Sequence, residues 1–591
     1  MRRRPFLTVP GVLLAAALGG SLLAGCAGHD DTAASSTSSS APSSSGDDSA
    51  GPSTEPVAQE EDVEDADTDA PPFPADASPD TQDASGVSEW DIDLTIDLAT
   101  NLFSNPGDSA RDVRAKNVNT IDEVPDSSWF TNRILARPIA LDELSRGPLT
   151  GDGPAPGSWT VVSPKLAGFS PGFTMLDARG VRWFVSFDAA GHPEAATGAI
   201  AVANKIFWAL GYWQVENHLV TVNAAQLVVG DTAVFTPESG RKRPMETRDL
   251  DAILQRAHRS ADGTYRAVAA RAVEGRPIGG FRYYGTRPDD PNDVVPHEHR
   301  RELRALKVFG AWTNLVDMKA GNTLDTVVTD GGKSVVRHYL QDVGSTFGTG
   351  ANGPREYDEG WELLYDGSLL WKRFVTLNFF IAPWQTVDYA ELPAIGRFEG
   401  DRFDPPSWQP RVSTAALRHA RSDDTFWAAR RVAAFTDDMI RAVVRTGKYS
   451  DPAAEALLAD VLIKRRQKIA AAYLTTINPL VDFSLAGDGR LSFKNAAVDA
   501  GVAAAPAGGY RVEWSVFDNT TGDARAIAPA AMSLQTTVAA PGLLPETPGT
   551  YVRVRVTAAD PAAAAWPIPA DAYFKRTSNG WLLVGLEKGT P

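Results

Sequence analysis

Residues 27 to 88 carry almost no large apolar side chain, and this limits the fold more than any other feature. The stretch is built mainly of Ser, Ala, Pro, Asp and Glu, with fifteen carboxylates and no Lys or Arg. Such a segment cannot bury enough apolar area to offset the entropy lost on ordering. It is expected to be a disordered, acidic, self-repelling tether. Folding is therefore confined to residues 89–591, whose Trp, Phe and Leu content suffices for two or three cored domains. The tether also holds most of the net charge of -17. Setting aside its carboxylates and the three arginines that precede it leaves the folded part near -5. A mildly acidic body of that kind excludes a nucleic-acid partner.

Residues 1–26 read as a removable leader. "MRRRPF" is a basic start, and "VLLAAALGGSLLAGC" is an apolar run ending in small residues. The run is too short to span a bilayer of ~30 Å, and Gly19-Gly20 interrupts it. Leu23-Ala24-Gly25-Cys26 resembles a bacterial lipobox. That resemblance implies cleavage before Cys26 and lipid on its sulfur and amine. Cys26 is the only cysteine, so no intramolecular disulfide can form. The expected address is the extracytoplasmic face of the cell membrane, or the outer membrane where one exists. "RRPFL" also resembles a twin-arginine export signal; an ordinary basic start explains it equally well.

The rest divides by pattern. Residues 158–188 read as three short strands around turns, and alternation in "VRWFVSF" marks the third. "PEAATGAIAVANKIFWALGY" reads as a helix stopped by Gly211. Two more strands follow, then a charged stretch, 238–300. "HRRELRALKVFGAWTNL" sets Leu303, Leu306, Phe309 and Trp312 on one helical face. Most of 360–477 reads as helix, one of them opened by Asp451-Pro452. From 479 to 591, alternation in "YRVEWSVFD" and "YVRVRVT" predicts a separate all-β, sandwich-like domain. A hairpin is expected in it around Asn579-Gly580.

The chemistry gathers at residues 314–344. "NLVDMKAGNTLD" places Asp317, Lys319 and Asn322 in the order Asp-x-Lys-x-x-Asn. Asp330-Gly331-Gly332 then marks a turn between two strand-like runs. A turn centred between 331 and 332 puts Asn322 opposite about residue 341, next to Asp342. Asp317 enters the same open end. Two carboxylates and an amide at one place form a hard oxygen set suited to Mg²⁺ carrying phosphates.

Asp-x-Lys-x-x-Asn, a strand, then Asp342-x-Gly344 resembles the catalytic and metal loops of the protein-kinase-like superfamily. The spacing and "HYLQDVGSTFG" are closest to its atypical branches: phosphoinositide, spore-coat and persistence-toxin kinases. The resemblance implies an α+β fold. It implies a two-lobed kinase-like domain over 89–478, with a sheet-rich N-lobe to about 285 and a helical C-lobe after it. The small β-sandwich-like domain follows. The resemblance also implies ATP and Mg²⁺ as cofactors. By position, Asp317 would orient an acceptor hydroxyl as general base, and Lys319 would neutralise the transferred phosphoryl. Asn322 and Asp342 would hold the metal.

The family's strand lysine and helix glutamate are missing. Ser186 and Ile200 stand where they align. Lys165, ahead of the Gly168–Gly172 turn, is one substitute, reaching phosphates from above; Lys205 or Glu194 is another. Two functions follow. One is an anchored kinase-like lipoprotein that binds nucleotide and Mg²⁺, with weak phosphotransfer or none. The other is a non-enzymatic scaffold whose β domain docks onto an envelope protein or glycan. Both share the bilayer as partner through Cys26. The remaining polar motifs read as solvated: His297 and His299 at a helix entrance, and Asp289, Asp290 and Asp293 in a connector between lobes. The Trp-rich segments "WELLYDGSLLWKRF" and "FIAPWQTVDY" read as core.

Overall fold

The computed structural model describes residues 80–165, 170–237, 240–377, 379–559 and 564–589. The leader, the Cys26 lipid site, most of the tether and Gly168 lie outside them. The fold is mixed, with several sheets and many helices. Among the described residues, no helix is long and apolar enough to cross a membrane.

Three antiparallel strands, Trp159–Pro164 (β1), Gly172–Leu176 (β2) and Arg182–Phe187 (β3), begin a six-stranded sheet. Tyr265–Arg271 adds beside β3, and Asn217–Val222 beside that. Leu227–Val229 pairs in parallel with β1 at the other edge. Alternation in β3 turns Trp183, Val185 and Phe187 inward. They join Phe173, Met175 and Ala269, covered by Leu250, Ile253 and Leu254 of the helix Thr247–Arg256. The charged stretch 238–300 thus supplies both a sheet strand and a core helix.

The helix Ala195–Leu210 packs on this sheet and stops at Gly211, whose φ is 119°. A Cβ there would meet the Phe130 ring at 2.2 Å, so the stop needs glycine for sterics as well as conformation. Further along, Thr323–Asp330 and Lys333–Leu340 form the hairpin expected from the sequence. Gly331 and Gly332 both have positive φ, as a two-residue loop between twisted strands requires.

The helices Arg301–Thr313, Ser422–Ala433, Asp437–Arg445 and Pro452–Tyr473 build the largest apolar cluster around Trp312, Trp427 and Phe435. Asp451 caps the last of them through the Ala453 N–H, with Pro452 in its first turn. Among the described residues between 377 and 414 the only helical pieces are short 3-10 turns, so helix covers less of 360–477 than the sequence pattern predicts. The C-terminal strands form a three-stranded sheet and a larger one built on Tyr510–Phe517, Tyr551–Ala558, Ala570–Thr577 and Gly580–Lys588. Their inward side chains, Val512, Trp514 and Val554 among them, continue the cluster of the helices. The last hairpin turns at Ser578-Asn579, one residue earlier than expected, since Thr577 pairs with Gly580.

Several polar motifs read as solvated are buried. His297 and His299 are almost fully buried, as are Asp290 and Asp293. Asp293 accepts from Arg300 and meets His297 at 2.7 Å, which offsets the cost of burying its charge. The structure thus corrects the expectation of exposed histidines and a solvated connector. The stretch read as tether also ends early. Ala84 and Val87 are buried against Ile278 and Val336, and Ser128 donates to Asp80.

One buried histidine sets a pH limit. His419 packs near His299 and is held down to about pKa 4 by burial, then by the Arg304 and His299 charges. The unfolded chain titrates near 6.5. It therefore binds the extra proton between these values, and stability falls as pH drops from 6.5 towards 4. The slope approaches ~1.4 kcal/mol per pH unit. His419→Gln is expected to flatten that limb when urea unfolding is followed against pH; an unchanged slope would remove His419 from the account.

Candidate functional site

The helix Arg301–Thr313 ends at Asn314 in the left-handed region, which turns the chain into the Asp-x-Lys loop. Asp317 is half-buried there. Its carboxylate meets Lys319 Nζ at 3.1 Å and Arg355 at 3.9 Å. Burial alone would push its pKa up, but Lys319 and Arg355 bring it below the ordinary value. Asp317 is therefore ionised at neutral pH and can accept a hydroxyl proton. Asn322 closes the loop, its side-chain N–H donating to the Asp317 carbonyl at 2.7 Å. That bond directs the amide nitrogen inward and leaves the amide oxygen, the atom a cation takes.

The hairpin brings Asp342 to the same end. Thr323 pairs with Leu340, so the ladder closes at its mouth and the Asp342 N–H donates to the Asn322 carbonyl at 3.1 Å. Asp342 is exposed, and one carboxylate oxygen accepts from the Gly344 N–H at 2.9 Å. The backbone bond brings Asn322 and Asp342 side by side, and an amide oxygen and a carboxylate are oxygen types that a divalent cation carrying phosphates takes. Among the described residues no group of three or more acidic, His or Cys side chains gathers for a metal.

Lys165 faces this site from the sheet. It follows β1, and its N–H donates to the Gly172 carbonyl at 3.0 Å. Gly172 in turn pairs with Ser186 of β3. Lys165, Gly172 and Ser186 thus form one row across three strands, with side chains on one face. Gly172 has no side chain, so the lysine stem lies over it, 3.3 Å from where a Cβ would sit. The ammonium reaches the Ser186 hydroxyl at 3.1 Å and the Ser170 hydroxyl at 2.7 Å. Desolvation lowers its pKa from the ordinary value, and the Asp342 charge raises it. No contact ion pair joins Lys165 and Asp342 among the described residues, so their attraction acts across a gap.

The other substitutes lie elsewhere. Lys205 is buried near Lys448 and Gly147, and burial lowers its pKa to about 8. Glu194 sits at the start of the helix Ala195–Leu210, facing Arg266 and the Ser450 N–H. Ile200 packs where a Cβ on Gly344 would stand, so the helix presents a methyl group, not a carboxylate, to the Asp342-x-Gly344 turn.

Sequence reasoning missed Arg355. It donates to Ser345 at 2.5 Å, faces Glu359 at 3.4 Å and adds positive charge beside Asp317. No spacing rule marks it, because twelve residues of mostly irregular chain separate it from Asp342. Tyr283 was missed too. Burial, then Asp317, push its pKa up, so it stays a neutral phenol. A cavity of about 220 Å³ opens between Arg441, Arg445, Tyr449 and Glu455, and shares no lining residue with the site.

Against known protein families the chain matches none, and it matches no curated protein. Among solved structures it is similar to a crystal structure of the Golgi casein kinase, with 8% identity and a TM-score of 0.27. The match covers 57% of this chain and 78% of that one. The same kinase with Mn/ADP bound gives 9% identity and a TM-score of 0.25, over 56% of this chain and 76% of that one. Likeness at this level says nothing of this chain's chemistry.

Proposed function

We propose that this chain binds a nucleoside triphosphate with Mg²⁺ between the β1–β3 sheet and the 317–344 loops, as a kinase-like protein of two lobes. The observation that carries the reading is Lys165. Its ammonium crosses Gly172 to the Ser186 position, where the family pattern expects a lysine, and it lies within the field of Asp342. Lys165 would hold the inner phosphates. Asn322 and Asp342 would hold Mg²⁺, which neutralises phosphate charge when bound.

Phosphotransfer on this geometry is a simple displacement. An acceptor hydroxyl oxygen bonds to the terminal phosphorus while the bond to the bridging oxygen of the departing diphosphate breaks. The hydroxyl proton passes to ionised Asp317, and Lys319 and Arg355 stabilise the charge nearby. A second reading, nucleotide binding or scaffolding without turnover, is favoured by Ile200. Without a glutamate partner at that place, nothing on the helix orients Lys165. The protein works at the extracytoplasmic face, held by lipid on Cys26, where free ATP is scarce; a catalytic role there needs a donor bound before export or supplied outside.

Thermal unfolding of the full chain tests the binding reading. Millimolar ATP with Mg²⁺ is expected to raise the melting temperature, and Mg²⁺ or ATP alone to raise it less. No rise with both present would sink the proposal and leave the scaffold.

A further inference from the structure

Residues 364–381 are amphipathic in the wrong direction for a protein core. The helix Gly367–Val375 has no buried residue. Leu370, Trp371, Phe374, Leu377, Phe379 and Ile381 are all more than half exposed, Phe379 to 84%. Arg373 turns back to the protein, while Lys372 stays exposed among the apolar side chains. Asp366 caps the helix, and Glu362 accepts from both Arg373 and the Trp384 indole N–H. Exposed apolar side chains at this density mark a surface that meets something else.

We infer that this segment is a lipid-docking face, seating the folded body on the outer leaflet of the membrane that holds Cys26. The inference rests on the lipid-anchor reading for the identity of the occupant. Two further observations favour lipid over protein. Trp371 stacks on Phe374, and Lys372 lies 3.8 Å over the Phe380 ring. Aromatic rings with a lysine among them suit the headgroup level of a bilayer. The route of the chain agrees. Fifty-three residues separate Cys26 from Asp80 in the sequence. The first helix after it, Leu94–Phe103, ends against the segment, with the Phe103 ring 5.3 Å from Tyr365. Phe103 and Ile96 are exposed on the same helix and widen the apolar face.

The test uses the full chain with vesicles of phosphatidylcholine and phosphatidylglycerol, part of the phosphatidylcholine brominated in its acyl chains. Bromine quenches only tryptophans that enter the lipid. Quenching is expected, and Trp371→Phe, which keeps the apolar face, is expected to remove most of it. Phe374→Ser with Phe379→Ser should lower vesicle partitioning of unacylated protein about tenfold or more. Melting temperatures of the variants confirm that they fold. Acylation of Cys26 is read separately by mass spectrometry, so the anchor and the face can fail independently. Quenching of an unacylated chain would support the face by itself, and a Cys26 that mass spectrometry finds unmodified in the native cell would dismiss the anchor. An acylated chain that floats with vesicles without quenching, or that self-associates through this segment instead, would overturn the inference.

Discussion

Replacing Asp342 by alanine is expected to abolish stabilisation by ATP and Mg²⁺ while leaving the fold intact. The side chain is exposed and makes one described hydrogen bond, to the Gly344 N–H. Its loss should cost the apo protein no more than ~0.5–1.5 kcal/mol. The hairpin keeps its register, because the bond from the Asp342 N–H to the Asn322 carbonyl belongs to the backbone. What disappears is the one carboxylate that would meet the proposed metal beside Asn322. An Asn322 amide alone is a neutral ligand and binds Mg²⁺ poorly. Any phosphotransfer should fall by at least ~10²–10³, the scale seen when one preorganised electrostatic contact is removed. The checks are thermal shift with and without Mg-ATP and a phosphorylation assay. Wild-type stabilisation in Asp342→Ala would show that the cation does not sit at the hairpin mouth.

Lys165→Met carries the second large effect. Methionine keeps an apolar stem over Gly172 and removes the ammonium that meets Ser170 and Ser186. Because desolvation already disfavours the charged form at this place, the apo fold should tolerate the change. Nucleotide binding should not: losing a charged phosphate contact is expected to cost ~2–4 kcal/mol, or ~10²–10³ in affinity or rate. Ser186→Lys in the Lys165→Met background moves the ammonium onto β3 and is expected to recover part of the loss. Isothermal titration with Mg-ATP measures all three. Equal affinity of wild type and Lys165→Met would remove Lys165 from the phosphate site.

Local chemistry made some of this structure legible from sequence. Gly331-Gly332 permits only a tight hairpin, so Asn322 and Asp342 meet through strand register alone. Gly211 and Asp451-Pro452 mark helix ends for similarly local reasons. The row from Lys165 through Gly172 to Ser186 was half legible. Ser186 shows in the pattern, but only strand pairing reveals that the Lys165 ammonium reaches it. Arg355 and the buried pair His297 and Asp293 were not legible, because contacts across irregular chain decide their surroundings. The Trp-rich segment misled in the opposite sense. Composition argued for core, whereas Glu362 anchors its polar groups and leaves Trp371 and Phe374 outside.

The most direct measurement is an electron paramagnetic resonance titration of Mn²⁺ against the full chain with and without ADP. Lys165 and Asp342 attract across a gap, and only a nucleotide with its metal is expected to bridge it. The free Mn²⁺ signal should therefore fall well below that of Mn²⁺ and ADP alone when wild-type chain is added, and not when Asp342→Ala or Lys165→Met replaces it. A signal that the chain leaves unchanged, or lowers equally in wild type and both variants, would contradict a nucleotide site at this place.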